Sequence, residues 1–197
     1  MKLGQLKIEC LINLFPNEKI SYADDDQSII NTLDNLRADP NYSDLIVTMI
    51  GSINRAISYI TLKGLTERNR VDLSQLEWKK GKAKIDASDI YQIEESDEAC
   101  EISDGYLVSR SGKNPKYIIY RKKHFVITQS TSDLKELEIK DSLCFLIPLY
   151  VKGELYPLDQ TERKESESRF KAFINEYKLG EIILNNPKVE SVYEVEK

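Results

Sequence analysis

The sequence predicts an α+β fold: a helical core of about four to five helices, an inserted antiparallel β subdomain and an extended C-terminal arm. Apolar residues recur at helical spacing in residues 1–66, strand-like segments rich in Tyr, Ile and Val fill 67–140, and helical spacing returns over 141–180. Neither helical block can bury its apolar stripe alone, so we expect the two blocks to pack together. Residues 181–197 show no helical stripe and are assigned to the arm.

Three helices are predicted before the insert. Residues 3–15 form the first, because Pro16 cannot continue a helix. The acidic triplet 24–26 precedes the second, where carboxylates suit a helix start; a metal site is the alternative, but no calcium-loop spacing follows. The third and strongest stripe covers 41–64, and Gly51 in its middle indicates close approach by another backbone.

The insert is predicted to contain six strands, over residues 71–76, 82–85, 89–93, 105–110, 116–121 and 124–129. The turn signal Ser-Gly-Lys-Asn-Pro at 111–115 separates two of these segments and favours an antiparallel meander. After the insert, Asp141 is placed to start a helix that contains Pro148. A capping box at 159–162 starts the last helix, which Gly180 is placed to close.

Composition excludes several classes of function. The 197 residues carry 33 acids and 28 bases, a formal net charge of −5, which disfavours a surface built throughout to bind phosphates. The longest uncharged apolar run, 143–151, is broken by Pro148 and is too short to span a bilayer, and no signal peptide is expected. Three widely spaced cysteines, Cys10, Cys100 and Cys144, are typical of free thiols in a reducing cytosol.

The chemistry available to an enzyme is limited by a single histidine, His124, which we expect to be a partly exposed strand residue. Two carboxylate-x-lysine triplets, at 77–79 and 138–140, match an element of metal-dependent nucleases. That element needs a further carboxylate on a neighbouring strand to hold a divalent ion. The upstream candidates, Asp72 and Asp133, are only five residues away, which is too near for an adjacent paired strand. We therefore expect no enzyme activity, no catalytic or metal-binding residues and no cofactor.

Charge is divided into two neighbouring blocks. Residues 85–104, the acidic segment, hold eight acids and no base, whereas 110–124, the basic segment, hold six bases and no acid. The bases are Arg110, Lys113, Lys116, Arg121, Lys122 and Lys123. They form either a DNA-facing hairpin with aromatic residues available for stacking, or a solvated hairpin whose cations pair with the acidic segment. The adjacency of the two blocks favours pairing.

The third helix also carries a polar motif beside its apolar stripe. Asn54 and Arg55 follow Gly51 closely, and Tyr42 lies near the start of the helix. Amide and guanidinium donors beside a small residue suit specific contacts with a neighbouring segment or subunit. We interpret these four residues as a core or interface motif.

Two segments resemble one known family. The first is Asp-Pro-Asn-Tyr-Ser-Asp at 39–44 followed by Met-Ile-Gly-Ser-Ile-Asn-Arg-Ala at 49–56. The second is Ile-Pro-Leu-Tyr-Val-Lys-Gly-Glu-Leu-Tyr at 147–156, followed by Asp159 and a helix bearing Phe170. Together they resemble the head–tail connector, or portal adaptor, proteins of tailed bacteriophages.

The resemblance implies a noncatalytic structural protein of the virion neck, made in the host cytoplasm. Such adaptors form a homo-oligomeric ring, typically of twelve copies, beneath the portal, where they extend the DNA channel and join the capsid to the tail. The implied partners are the portal, other neck and tail proteins, further copies of the chain and passing DNA without sequence-specific contact; no membrane is implied. An acidic channel would let DNA slide.

The arm is the predicted portal contact. We expect Val189, Val192, Tyr193 and Val195 to add a strand to a sheet edge of the portal. Another neck component, such as a stopper or tail-completion protein, is the alternative within the same class. A soluble nucleic-acid-binding module that uses the basic segment is the alternative from a different class.

Overall fold

The computed structural model describes residues 1–155 and 160–185, and these residues confirm the α+β class. The helices are α1 (Leu3–Leu14), α2 (Asp26–Ala38), α3 (Pro40–Leu62), α4 (Asp141–Cys144), α5 (Ile147–Leu155) and α6 (Gln160–Asn185). The strands are β1 (Arg68–Asp72), β2 (Lys82–Lys84), β3 (Ile90–Ser96), β4 (Cys100–Ser103), β5 (Tyr106–Ser109) and β6 (Tyr117–Lys122). The helix predicted after Asp141 is divided into α4 and α5, and Pro148 lies in the first turn of α5.

The predicted helix starts have clear chemical causes. Asp25 caps α2, where its carboxylate accepts a hydrogen bond from the Ser28 amide at 2.8 Å, so the acidic triplet does supply a cap. Asp39 caps α3 in the same way, and Pro40 occupies the first helical position, where its missing N–H costs nothing. Gly64, at φ +71°, follows the end of α3 in a conformation that favours glycine.

The helices before and after the insert share one hydrophobic core, as the two apolar stripes predicted. Fully buried side chains from both blocks meet there, among them Leu3, Met49, Ile53, Ile147, Phe170 and Ile174. By length and composition alone α3 could cross a membrane. Because its apolar face is covered by the other helices of this core, we interpret it as a core helix.

The β insert forms two three-stranded antiparallel sheets, in the orders β1-β6-β3 and β2-β5-β4, around a second core. The predicted meander is wrong, because β5 and β6 lie in different sheets and the 111–115 turn crosses between them. The tight hairpin joins β4 to β5 instead, through Asp104 and Gly105, both at positive φ. The strand predicted at 124–129 is also wrong, since the chain there leaves the sheet and buries Ile127 in the helical core.

The end of α6 differs from the prediction. Gly180 does not close the helix, which continues to Asn185, so the first five residues of the predicted arm, 181–185, are helical. A glycine inside an exposed helix costs only about 1 kcal/mol, which flanking residues can offset. Residues 186–197, with Val189, Val192, Tyr193 and Val195, lie outside the described residues, as does Asp159.

A buried ion pair fastens the chain as it returns from the insert. The Lys7 side chain is only 2% exposed, and its Nζ donates to Asp133 Oδ1 at 2.8 Å. The second oxygen of Asp133 pairs with Arg37, and the backbone carbonyl of Asp133 accepts from the Gly4 amide at 2.7 Å. One residue therefore holds the returning segment against both α1 and α2.

Burial acts to raise the pKa of Asp133, but the hydrogen bonds and charges of Lys7 and Arg37 outweigh it, so the pKa of this carboxyl lies below its usual range. A carboxyl whose pKa is lowered by folding stabilises the fold above its unfolded-state pKa of about 4. This stabilisation is lost as the pH falls through the lowered value.

We expect Asp133→Asn to reduce the free energy of unfolding at pH 7 by about 3 kcal/mol, because it leaves the Lys7 ammonium buried without a counter-charge. Lys7→Met should cost less, since Asp133 keeps Arg37. Asp34→Asn is the matched control: it removes an exposed partner of the same arginine and should cost below about 0.5 kcal/mol. Urea unfolding measures all three.

The pH dependence provides a second check on the same variants. The stability difference between the wild type and Asp133→Asn should narrow as the pH falls below about 4, where the carboxyl becomes protonated in the unfolded chain, and on through the lowered pKa of Asp133 in the folded protein. A difference that stays constant from pH 7 to pH 3 would contradict the charged state assigned to this residue.

Candidate assembly interface

The two segments that carry the family resemblance meet where α3, α5 and α6 pack together. Arg55 Nε on α3 donates to both carboxylate oxygens of Glu154 on α5, at 2.7 and 3.0 Å. The guanidinium makes a further contact with the same carboxylate. The two residues are 99 positions apart in the sequence, so the resemblance falls on one physical unit, which we call the junction.

The Arg55–Glu154 pair lies at the rim of the junction. Burial acts to raise the pKa of Glu154, but hydrogen bonds from Arg55, Ser52 and Tyr150 outweigh it. The pKa of Glu154 therefore lies below its usual range, and the carboxyl is ionised at neutral pH. The Arg55 side chain is 58% exposed. An ion pair with this much solvent exposure contributes at most about 1 kcal/mol to stability. Its bidentate geometry nevertheless fixes the orientation of the Arg55 guanidinium at the surface.

Asn54 contacts a different segment. Its Nδ2 donates to the Ile127 carbonyl at 2.8 Å, and its Oδ1 accepts from the Ile127 amide at 3.0 Å. One side chain thus satisfies both backbone groups of a residue that has no strand partner. Asn54 anchors the chain where it re-enters the helical core.

Tyr42 is not part of the junction. It is half-buried near the start of α3 and meets the Phe15 ring edge-on, with 5.3 Å between centroids. Thirteen residues of helix separate it from Arg55, which is about 20 Å at 1.5 Å per residue. The predicted four-residue motif is therefore divided between two places on α3.

The close backbone approach predicted at Gly51 occurs at Gly153 instead. A Cβ on Gly51 would lie 3.4 Å from the Arg55 Nη1 atom, the end of a flexible side chain of the same helix. A Cβ on Gly153 would lie 3.0 Å from the Arg163 carbonyl oxygen and from the Glu167 amide nitrogen, both backbone atoms of α6. Gly153 sets the distance between α5 and α6.

An aromatic side chain fixes α6 on the other two helices. Phe170 is fully buried, with its ring centroid 5.1 Å from that of Tyr150 on α5 and 5.7 Å from that of Tyr59 on α3. Contacts at these distances are favourable for aromatic pairs. Phe170 was predictable from its helical spacing, but its two partners, contributed by other helices, were not.

The basic segment is not a hairpin, because β5 and β6 belong to different sheets. Four of its six cations are paired with acids: Arg110 with Glu101, Lys113 with Glu98, Arg121 with Glu94, and Lys122 with Glu138. Lys116 and Lys123 are exposed. Three of the four acids come from the acidic segment, so the two blocks largely neutralise each other, as the pairing interpretation predicted.

His124 differs from the prediction of a partly exposed strand residue. It follows β6 and is 7% exposed, and its Nδ1 donates to the Phe125 carbonyl at 2.6 Å. Its ring stacks on that of Phe125. Burial lowers the pKa of His124, so the ring is neutral at pH 7.

Within residues 1–155 and 160–185, no group of three or more His, Cys, Asp and Glu side chains is placed to hold a metal ion. Comparison of the sequence with models of known protein families gave no match, and comparison with curated proteins also gave none.

We expect opposite effects from the same substitution at the two glycines. Gly153→Ala should lower the free energy of unfolding by about 1–3 kcal/mol, because the new methyl group meets backbone atoms of α6 that cannot move separately. Gly51→Ala should raise it by up to about 1 kcal/mol through better helix propensity. Urea unfolding distinguishes them; equal effects would contradict the spacing role of Gly153.

Proposed function

We propose that the protein is a structural component of a tailed-phage virion, a head–tail adaptor that forms a ring beneath the portal, extends the DNA channel and joins capsid to tail. The observation that carries the proposal is the Arg55–Glu154 contact. It joins the two segments that resemble the adaptor family, so the resemblance falls on residues that act together rather than on two unrelated stretches.

The architecture supports an assembly role. The junction is rigid, because Gly153 and Phe170 fix α6 on α5 and α3, and it presents the charged pair of Arg55 and Glu154 at its rim. The β insert has a core of its own around Leu107 and Ile118. A rigid unit joined to a separate small subdomain offers neighbouring molecules two distinct surfaces.

The distribution of charge favours an adaptor over a nucleic-acid-binding module. Most cations of the basic segment are paired with acids, and the chain carries a net charge of −5. Affinity for DNA depends on cations that are free to displace the counterions of phosphates. A surface with few such cations lets DNA pass rather than holding it.

The test uses phage heads that carry a portal but lack this chain. Adding the purified protein should produce a ring of density contiguous with the portal in electron micrographs. Density one layer further from the portal would indicate a stopper or tail-completion protein instead. Absence of bound density, together with salt-dependent DNA retention that is lost on replacing Arg121, Lys122 and Lys123, would favour the nucleic-acid-binding module.

The arm is tested separately by ending the chain after Asn185, the last residue of α6. If the arm carries the portal contact, the truncated protein should keep its helical circular dichroism spectrum but no longer bind the heads. A truncated protein that still binds would leave the ring proposal intact and exclude the arm as its anchor.

A further inference from the structure

A turn that leads into β2 carries an unbalanced group of cations. Residues 79–84 read Lys-Lys-Gly-Lys-Ala-Lys, so they hold four lysines and no acid. All four lysines are exposed. Lys79 forms an open ion pair with Glu77 at 3.8 Å, and among the described residues the other three lysines have no ion-pair partner. We call residues 79–84 the lysine turn.

The backbone of the lysine turn is fixed by its own hydrogen bonds. Lys79 and Lys82 exchange two of them, at 2.8 and 3.0 Å between amide nitrogen and carbonyl oxygen. Between these residues, Lys80 and Gly81 have φ values of +52° and +73°. This is a two-residue hairpin turn with both central residues in the left-handed region, where Asn or Asp is preferred before the glycine.

Two features of the lysine turn work against folding. A lysine at positive φ is disfavoured, because its Cβ crowds the backbone. Lys79 and Lys82 lie directly opposite each other, and like charges in such a pair are destabilising. Positions that break local rules in this way are typical of functional sites.

The lysines of β2 share one face of their sheet with an exposed tyrosine. Ala83 is buried, and it pairs with Leu107 of the second core. Since side chains alternate along a strand, Lys82 and Lys84 lie on the opposite, outer face. Tyr106 lies directly across from Lys84 and is 43% exposed. The outer face therefore presents ammonium groups beside a phenol hydroxyl, all of which can donate hydrogen bonds.

The acids near this outer face leave most of its positive charge in place. Glu101 on β4 belongs to the same face, but it is already paired with Arg110. Asp104, in the turn between β4 and β5, accepts a hydrogen bond from the Ser103 hydroxyl. A local excess of cations thus remains on a chain whose net charge is −5.

We propose that the lysine turn binds the phosphate groups of duplex DNA without reading its sequence. Lysine contacts a phosphate as a point charge, and phosphate contacts carry no sequence information. The Tyr106 hydroxyl can donate to a phosphate oxygen beside them. The partner is a duplex because it carries one negative charge per about 1.7 Å of its axis, so a small cation cluster gains more from counterion release there than on a single strand.

This contact goes beyond the proposed function and does not depend on it, because it concerns the isolated protein and DNA alone. Four cations on an acidic chain give weak binding that falls steeply with salt. A contact of this strength attracts DNA at low salt and releases it readily, which suits DNA that passes the surface.

Binding of a fluorescein-labelled duplex of about 20 base pairs to the purified full-length protein tests the contact, by anisotropy from about 20 mM salt upwards. Lys80→Asn together with Lys82→Glu should weaken binding at least about tenfold. The slope of log affinity against log salt should become shallower by about two, because two phosphate contacts are lost.

The matched control is Lys116→Gln together with Lys123→Glu, which alters two exposed lysines of the basic segment and changes the net charge by the same amount. It should weaken binding less than about threefold. Unfolding in urea separates binding from folding. The lysine-turn variant should be at least as stable as the wild type, because asparagine suits the turn and glutamate lies opposite Lys79.

Four results would overturn the assignment. Equal weakening by the two double variants would show that net charge alone governs binding, and no binding at about 20 mM salt would remove the contact. A single strand that binds more tightly than the duplex would assign the surface to unpaired bases. Displacement of the duplex by polyglutamate at equal charge concentration would assign it to acidic proteins. None of these results would bear on ring formation at the portal.

Discussion

The structure depends on one constraint: the apolar faces of α1 and α3 are covered only when α5 and α6 return to them from the far side of the β insert. The insert must therefore leave and re-enter the helical core at fixed points. Asn54 holds the re-entry through both backbone groups of Ile127, and Asp133 holds the next residues against Lys7 and Arg37. These polar anchors are more specific than the apolar contacts they align, because a hydrogen bond requires a defined partner and direction.

The sequence predicted the helices better than the sheets. Helix periodicity and caps are local, and the stripe of α3 and the cap at Asp25 were both correct. Strand pairing is not local, and the turn signal at 111–115 could not show that it joins two different sheets. The end of α6 was wrong because Gly180 is a weak stop signal when no left-handed turn follows it.

The candidate site was predictable in part for the same reason. Residue type and spacing singled out Asn54 and Arg55, but their partners, Ile127 and Glu154, are distant in the sequence and only the fold brings them close. Gly51 attracted attention because a glycine is conspicuous inside a strong helical stripe. Gly153 is the glycine that the packing requires, yet it lies in a short helix where nothing local distinguishes it.

The interrupted core has a consequence for synthesis. On the ribosome, the first 62 residues must wait for about 100 more before their partners emerge, roughly 5–20 s at ordinary translation rates. The β insert completes its own small core within that interval. During the wait α1 and α2 can cover only part of the apolar face of α3, and the part that α5 and α6 bury in the folded protein stays exposed. The nascent chain is therefore most vulnerable to premature self-association before its last third is made.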